Sequence, residues 1–392
     1  MCSESSRPVS SPDAGVLPPS PLGLYLHIPF CSAICHYCNF NRGLLDEALK
    51  RRYVDALERE ILREGDGAAA DTIYFGGGTP SLLEPDEIAR LIRACARAYR
   101  LTADTEVTLE VNPETVDVER MRKFRDAGIN RLSIGVQSFR DEELRRLGRV
   151  HDAARAARAY EDCRRAGFDN ISLDLMMWLP QQTVADWLTS IDRLIALAPD
   201  HASLYLLELY PNAPLKDDMA RSQWSQAAED DAADMYLEGF SRLDDAGYRQ
   251  YEISNVCRPG RASRHNLKYW QDGEWMAFGC GAHGTRNGRR WKNDTSTADY
   301  VHRIDAGASV AVDERMLDHE ERMQDALFMG LRLTEGVDVD RVRRKFGVNV
   351  SDRYGRGLQP FLDAGILVAD AGVLRLTRQG MLLANEVCRV FV

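Results

Sequence analysis

Six short runs rich in leucine, β-branched and aromatic side chains, separated by longer stretches with helical patterns, constrain this chain more than any other feature. The runs are LGLYLHI (22–28), DTIYF (71–75), TEVTLEV (105–111), NRLSIGV (130–136), NISLDLM (170–176) and ASLYLLELY (202–210). The intervening stretches are amphipathic. In TVADWLTSIDRLIALA (183–198), Trp187, Leu188, Ile191, Leu194 and Ile195 recur at helical spacing and mark one buried face. Strand–helix alternation repeated six times predicts a parallel sheet with right-handed crossovers. The 392 residues leave room for one large domain of about 200–250 residues and a smaller one.

An open doubly wound sheet and a barrel share this alternation. The chemistry-bearing residues separate them, because they stand just after nearly every strand. Three cysteines follow the first run and GGGTP the second. Glu110 and Asn112 close the third, Gln137 follows the fourth, and Asp174 lies late in the fifth. Functional groups on the C-terminal ends of successive strands characterise a barrel site. The expected fold is therefore α/β, a partial (β/α)6 barrel over residues 22–246, wider on one side than a full eight-stranded barrel.

The remaining segments read differently. Residues 1–21, rich in Ser and Pro, are expected to form a disordered tail; they lack the basic and apolar regions of a secretory signal. YRQYEISN opens a segment over 247–305 that continues through RPGRAS into the aromatic RHNLKYWQDGEWMAFGCGAHG, a cap on the barrel. Residues 306–392 are expected to be helical and charged from DERMLDHEERM onward. They end in a winged-helix-like module with a hairpin at Ala371-Gly372. Such modules often bind DNA, but here the acidic surroundings favour packing or a lid. The charge runs at 140–166 read as a solvated face.

A net charge of −10 argues against a broad nucleic-acid footprint, and no apolar run reaches the roughly 20 residues of a membrane span. Of nine cysteines, six are scattered singly, which is the usage of a reduced, cytoplasmic protein. The other three, Cys31, Cys35 and Cys38, form a C-x3-C-x2-C trio with no fourth cysteine. Three readings apply: free loop thiols; zinc with a fourth ligand among Cys257, Cys280, His265 and His283; or a 4Fe–4S cluster on three thiolates that leaves one iron open. The last explains the missing ligand as a place for a cofactor. FGGGTP (75–80) fits beside it, since glycines let the backbone approach a ligand and offer carbonyl acceptors. No Gly-Lys-Ser/Thr follows, so it is not a phosphate loop.

The trio directly after a first strand, with Tyr37 inside it, resembles the radical S-adenosylmethionine (SAM) superfamily. YLHIPFC, FGGGTPSLL, EVNPE, RLSIGVQSF, LGRVH, NISLDLM, HNLKYW and GCGAHG together resemble its HemN/HemW branch over nearly the whole chain after residue 22. The resemblance implies a cluster on Cys31, Cys35 and Cys38. It implies SAM contacts at Tyr25, Tyr37, Gly77, Gly78, Thr79, Glu110, Gln137, Arg149 and Asp174. Glu110 suits the SAM ammonium, Arg149 the carboxylate and Asp174 the ribose hydroxyls.

Within the branch, Phe40 stands where coproporphyrinogen oxidases carry a fourth cysteine, and only 24 residues precede Tyr25. Both features resemble the haem chaperones, which bind haem and deliver it to acceptor proteins. HNLKYW then implies haem on His265, with Tyr269 and Trp270 against the macrocycle and His283 lining the same cavity. A flavodoxin- or ferredoxin-type electron donor is implied as partner. The alternative is oxygen-independent coproporphyrinogen III oxidation, in which a SAM-derived radical takes hydrogen from propionate side chains. A tRNA-modifying enzyme is disfavoured for want of a second cluster motif and a basic platform. His36, between two of the cysteines, is expected to face solvent. Two departures from the branch fall near the pocket. Trp178 replaces a glycine and should forbid a positive φ there, and Tyr210 replaces an acid, with Glu208 two residues earlier.

Overall fold

In a computed structural model, which describes residues 20–211 and 213–392, the expected strands fall in one sheet. They are β1 (Leu22–Ile28), β2 (Ala69–Gly77), β3 (Arg100–Val111), β4 (Arg131–Gln137), β5 (Ile171–Met177) and β6 (His201–Leu206). Neighbours pair in parallel in sequence order. The expected tail lies outside the described residues except at its last two positions.

The sheet extends beyond the six at both edges. A hairpin of β7 (Arg249–Glu252) and β8 (Asn255–Cys257) pairs antiparallel with β6. On the other side β9 (Trp275–Phe278) runs parallel to β1, followed by β10 (His283–Arg286), β11 (Arg289–Asn293) and β12 (Ala311–Met316). The order β12-β11-β10-β9-β1-β2-β3-β4-β5-β6-β8-β7 leaves the sheet open. The aromatic segment is therefore partly sheet. DERM is strand rather than helix, an edge strand whose charges discourage further pairing and include Glu314 in an ion pair with Arg289 at 2.8 Å.

Alternation along the strands sorts the side chains. Leu24, Leu26, Ile73, Phe75, Leu109, Ile134, Leu173 and Leu204 point outward into the core beneath the helices. Their neighbours Tyr25, Tyr74, Glu110, Ser133, Asp174 and Ser203 line the lumen. β6 stops at Leu206, short of the expected Tyr210. Its partner β5 ends at Met177, and Met177 pairs with Leu206, so no ladder remains beyond that point.

The charge runs at 140–166 form two helices, Asp141–Arg146 and Ala153–Arg165. Their face is not wholly solvated. Glu143 is buried and accepts from Ser138 Oγ and from Gln182 Nε2. After the helix His319–Gly330, two helices (Val339–Phe346 and Val350–Asp363) precede a hairpin turning at Ala371-Gly372. Both turn residues have positive φ, 48° and 79°, as a two-residue hairpin of this twist requires. A third short strand at Val337–Asp338 completes the wing. The module packs on the barrel through Arg378–Asp244 (2.6 Å) and through Arg332, which stacks on Trp270.

Candidate functional site

One cavity of about 530 Å³ occupies the barrel. It is lined by Cys31, Cys35, Cys38, Tyr25, Tyr37, Gly77, Gly78, Thr79, Glu110, Gln137, Arg149, Asp174 and His265. The structure thus gathers these residues around one cavity, without His283 and Trp270, and it shows how each is held.

The cysteine loop leaves β1 and is fastened from several directions. Gly78 N donates to Ile28 O and Thr79 N to Phe30 O, both at 2.8 Å, so the glycine run lies directly against the loop's base. A Cβ on Gly78 would stand 2.7 Å from Phe30 O and 3.0 Å from Cys31 Sγ, which only glycine avoids. Thr79 Oγ1 points at Cys31 Sγ (3.6 Å), and Arg149 Nη1 donates to Cys35 Sγ (3.3 Å). His36 does not simply face solvent. Its amide donates to Leu147 O, its carbonyl accepts from Leu215 N, and its ring pairs with Asp218 at 2.8 Å.

Among the described residues, no three Cys, His, Asp or Glu side chains converge on a point that holds one metal ion. None of the four candidate fourth ligands for zinc joins the trio. Cys257 and Cys280 are buried elsewhere, His265 lies on the lumen floor, and His283 is exposed on β10 and does not line the cavity. A cubane needs each thiolate on its own iron, so three sulfurs spread along one loop beside a glycine cradle fit it. The Arg149 contact to Cys35 and a hydrogen bond from Arg42 Nη2 to Cys38 O bring positive charge to the loop.

Above the lumen, Glu110 accepts from Tyr74 Oη (2.8 Å) and Gly77 N (3.1 Å), and burial pushes its carboxyl up to about 7. Asp174 accepts from the hydroxyls of Ser133 and Ser172, and burial raises it as well. Arg149 Nη2 donates to Asn112 Oδ1 (2.9 Å) and Gly135 O (2.8 Å). Gln137 takes a left-handed φ of 68° at the end of β4, which turns it back toward Gly135, Asn112 and Arg149. Tyr25 Oη bonds His27 Nδ1 (3.0 Å), and His27 Nε2 bonds Asn41 O (2.7 Å), so β1 also grips the far end of the cysteine loop. Tyr37 packs against Leu147, Met176, Leu179, Leu207 and Leu215.

HNLKYW forms the helix Arg264–Trp270, with Ser263 as N-cap and Glu106 accepting from the amides of Arg264 and His265. His265 is 1% exposed. Its Nδ1 bonds Thr72 Oγ1 (2.7 Å) and its Nε2 bonds Tyr269 Oη (3.0 Å). Burial pulls its pKa down to about 3, so the ring is neutral. Tyr269 lines the cavity; Trp270 instead turns to the C-terminal module beneath Arg332.

Trp178 corrects the expectation drawn from the missing glycine. It holds φ = 62° itself, so the backbone turn survives the larger side chain. Its Nε1 donates to Ala227 O and its carbonyl accepts from Gln226 Nε2, both at 2.9 Å, and these bonds offset a left-handed cost of about 1–2 kcal/mol. Tyr210 bonds Glu208 at the cavity mouth, beside the exposed Phe40 and Leu206. Sequence reasoning missed His27, Tyr74, Arg131, Gly135, His201 and Tyr251. The available signal for two of them was strand period, since His27 lies two residues from Tyr25 and Gly135 two from Gln137.

Gly78→Ala tests the cradle. The added methyl is expected to push the cysteine loop off β2, so iron and sulfide incorporated on reconstitution fall severalfold while the far-ultraviolet circular dichroism is unchanged. Full incorporation would contradict the cradle.

Comparison with known proteins agrees with this geometry. The Radical SAM superfamily matches residues 25–194 and the HemN C-terminal domain matches 317–383. A heme chaperone HemW of Bacillus subtilis is 34% identical over 94% of this chain and 98% of its own. A Mycobacterium tuberculosis heme chaperone HemW is 34% identical over 98% of both chains. The mitochondrial radical S-adenosyl methionine domain-containing protein 1 of Bos taurus is 35% identical over 93% of this chain and 85% of its own. Among solved structures, the Escherichia coli coproporphyrinogen III oxidase HemN superposes with a TM-score of 0.84 at 23% identity, covering 95% of this chain and 90% of that one. That similarity shows a shared fold. The superfamily's cofactors are a 4Fe–4S cluster and SAM. The chain belongs to the radical SAM superfamily and, within it, to the HemW family.

Proposed function

We propose that this protein is a haem chaperone, which binds haem and passes it to acceptor proteins. The observation that carries the reading is end-to-end similarity to proteins named heme chaperones, at 34% identity over nearly the full length of each. The oxidase reading rests on a shared fold with HemN at 23% identity, and Phe40 occupies the position of that enzyme type's fourth cysteine. The buried single cysteines and the trio point to a reducing compartment, the cytoplasm. Among the described residues no helix is long and apolar enough to cross a membrane.

In this proposal Cys31, Cys35 and Cys38 hold the cluster, and Gly77, Gly78 and Thr79 approach SAM through their backbone. Glu110 takes the SAM ammonium, Asp174 the ribose hydroxyls and Arg149 the carboxylate, with Tyr25, Tyr37 and Gln137 walling the ligand. A cluster held there would supply reducing electrons to a SAM bound beside it, replenished by a flavodoxin- or ferredoxin-type donor. The protein's own contribution is to orient SAM and to exclude water from a polar lumen sealed by apolar outer faces.

For haem, His265 is the proposed axial ligand. In the tautomer with its proton on Nδ1, given to Thr72 Oγ1, the neutral imidazole directs its Nε2 lone pair toward Tyr269 and the lumen, with the outer hydrogen bond setting ring orientation. Tyr269 Oη now occupies that lone pair and must yield to iron. Anaerobic haem titration followed at the Soret band tests this. Stoichiometric binding is expected in the wild type, weakening at least tenfold in His265→Ala and tightening in Tyr269→Phe. Absence of haem binding, with anaerobic conversion of coproporphyrinogen to protoporphyrinogen, would overturn the proposal in favour of the oxidase.

Glu110 gives a pH dependence with a definite sign. Its carboxyl titrates near 7 in the folded protein, and only the carboxylate attracts the SAM ammonium. SAM affinity is therefore expected to rise as pH increases from 6 to 8. Glu110→Gln should bind SAM at least tenfold more weakly, with that pH dependence removed. Equilibrium dialysis across this range would expose a flat wild-type profile as a contradiction.

A further inference from the structure

The strongest unassigned feature is a buried arginine on the lumen floor. Arg131, on β4, is 2% exposed and lines the cavity, and its side chain makes no hydrogen bond or ion pair among the described residues. Its Nε is an orphan donor. A further unsatisfied polar atom lies beside it, Thr108 Oγ1, whose residue is its register partner on β3. A guanidinium this deep is costly unless something pairs with it. Neither Glu110 nor Asp174 does. Glu110 is taken by Tyr74 and Gly77, and Asp174 by Ser133 and Ser172. Beside Arg131 stand His201 and His265, both kept neutral by burial. His201 is fixed between Ser172 Oγ (2.8 Å) and Tyr251 Oη (2.9 Å), and Asn266 Nδ2 donates to the same Tyr251 oxygen.

We propose that this floor is a second anion subsite, in which Arg131 takes a carboxylate of the ligand that shares the barrel with SAM. The class follows from charge and donor count. One guanidinium offers a two-pronged fork and a single positive charge, which matches one carboxylate. A phosphate carries nearly two charges, and among the described residues the other cations lining the cavity, Arg42 and Arg149, are held at the cysteine loop. The SAM carboxylate is not the occupant, because its arginine is elsewhere. Arg149 is held on Gly135 O, four residues further along the same strand, roughly 13 Å at strand rise. The inference rests on the reading that the second ligand is a macrocycle bearing propionates, and it assigns one propionate to Arg131.

The test uses the full-length, reconstituted protein under anaerobic conditions. Haem and haem dimethyl ester, which differ only in the free carboxylates, are titrated into wild type, Arg131→Lys and Arg131→Gln, and SAM affinity is measured alongside. The wild type is expected to prefer the diacid by about tenfold or more. Both variants should lose most of that preference through the diacid alone. Arg131→Lys keeps the charge seen by Glu110 and Asp174 but loses the fork, so its SAM affinity should be unchanged; it also carries the test if Arg131→Gln does not fold.

Equal weakening of diacid and ester, or a loss confined to SAM, would overturn the subsite and leave the haem reading intact. Coproporphyrin, with four carboxylates and no iron, is the further probe. If it binds in an Arg131-dependent way while haem does not bind at all, the haem reading fails and the subsite stands. If the wild type binds neither macrocycle, both fall.

Discussion

The contact between the glycine run and the chain leaving β1 is the constraint on which the rest of the site depends. Two 2.8 Å backbone hydrogen bonds, Gly78 N to Ile28 O and Thr79 N to Phe30 O, bring the second crossover of the barrel against the first. They form only because no side chain stands between Gly78 and Cys31. Everything above the lumen is referred to this junction. Thr79 reaches Cys31 on one side and Asn112 on the other, Asn112 holds Arg149, and Arg149 closes back on Cys35. The ring of contacts returns to the cysteine loop, so the loop is positioned by three successive strands rather than by its own short sequence.

Beneath that ring, the barrel inverts the usual distribution of polarity. Its apolar side chains face outward to the helices, and its polar ones face inward into the cavity, where the deepest are buried. Burial then acts on each group according to its charge. It raises the carboxyls of Glu110 and Asp174 and lowers the imidazoles of His201 and His265. The histidines are consequently neutral and available as ligands, and the carboxyl of Glu110 is pushed up to about 7. A site of this kind responds strongly to a charged ligand, because little water competes for the interaction.

Much of this was legible in the sequence, for identifiable reasons. The cysteine spacing and the glycine run are local signals whose meaning does not depend on packing, and the strands showed as short runs bounded by breakers. β1 fell where expected to the residue, and so did the Ala371-Gly372 turn. What failed depended on tertiary partners. The end of β6 was set by where β5 stopped, and the charged strand β12 resembles a helix until its neighbour β11 is known. Trp178 takes a left-handed backbone held by Ala227 and Gln226, and neither is visible from position 178. His283 and Trp270 were drawn toward the site by motif proximity, but period and helix face direct them away. Arg131 lay inside a recognised motif and drew no notice, since a strand arginine reads as an exposed charge until the lumen closes over it.

The central claim is that three thiolates hold a four-iron cluster with one iron open to SAM in this cavity. Mössbauer spectroscopy of ⁵⁷Fe-reconstituted protein, with and without SAM, addresses it directly. The account predicts a 4Fe–4S signature in which one iron of the four changes its parameters when SAM is added, while the other three do not. A signature that SAM leaves untouched, or iron bound without a four-iron cluster, would contradict it.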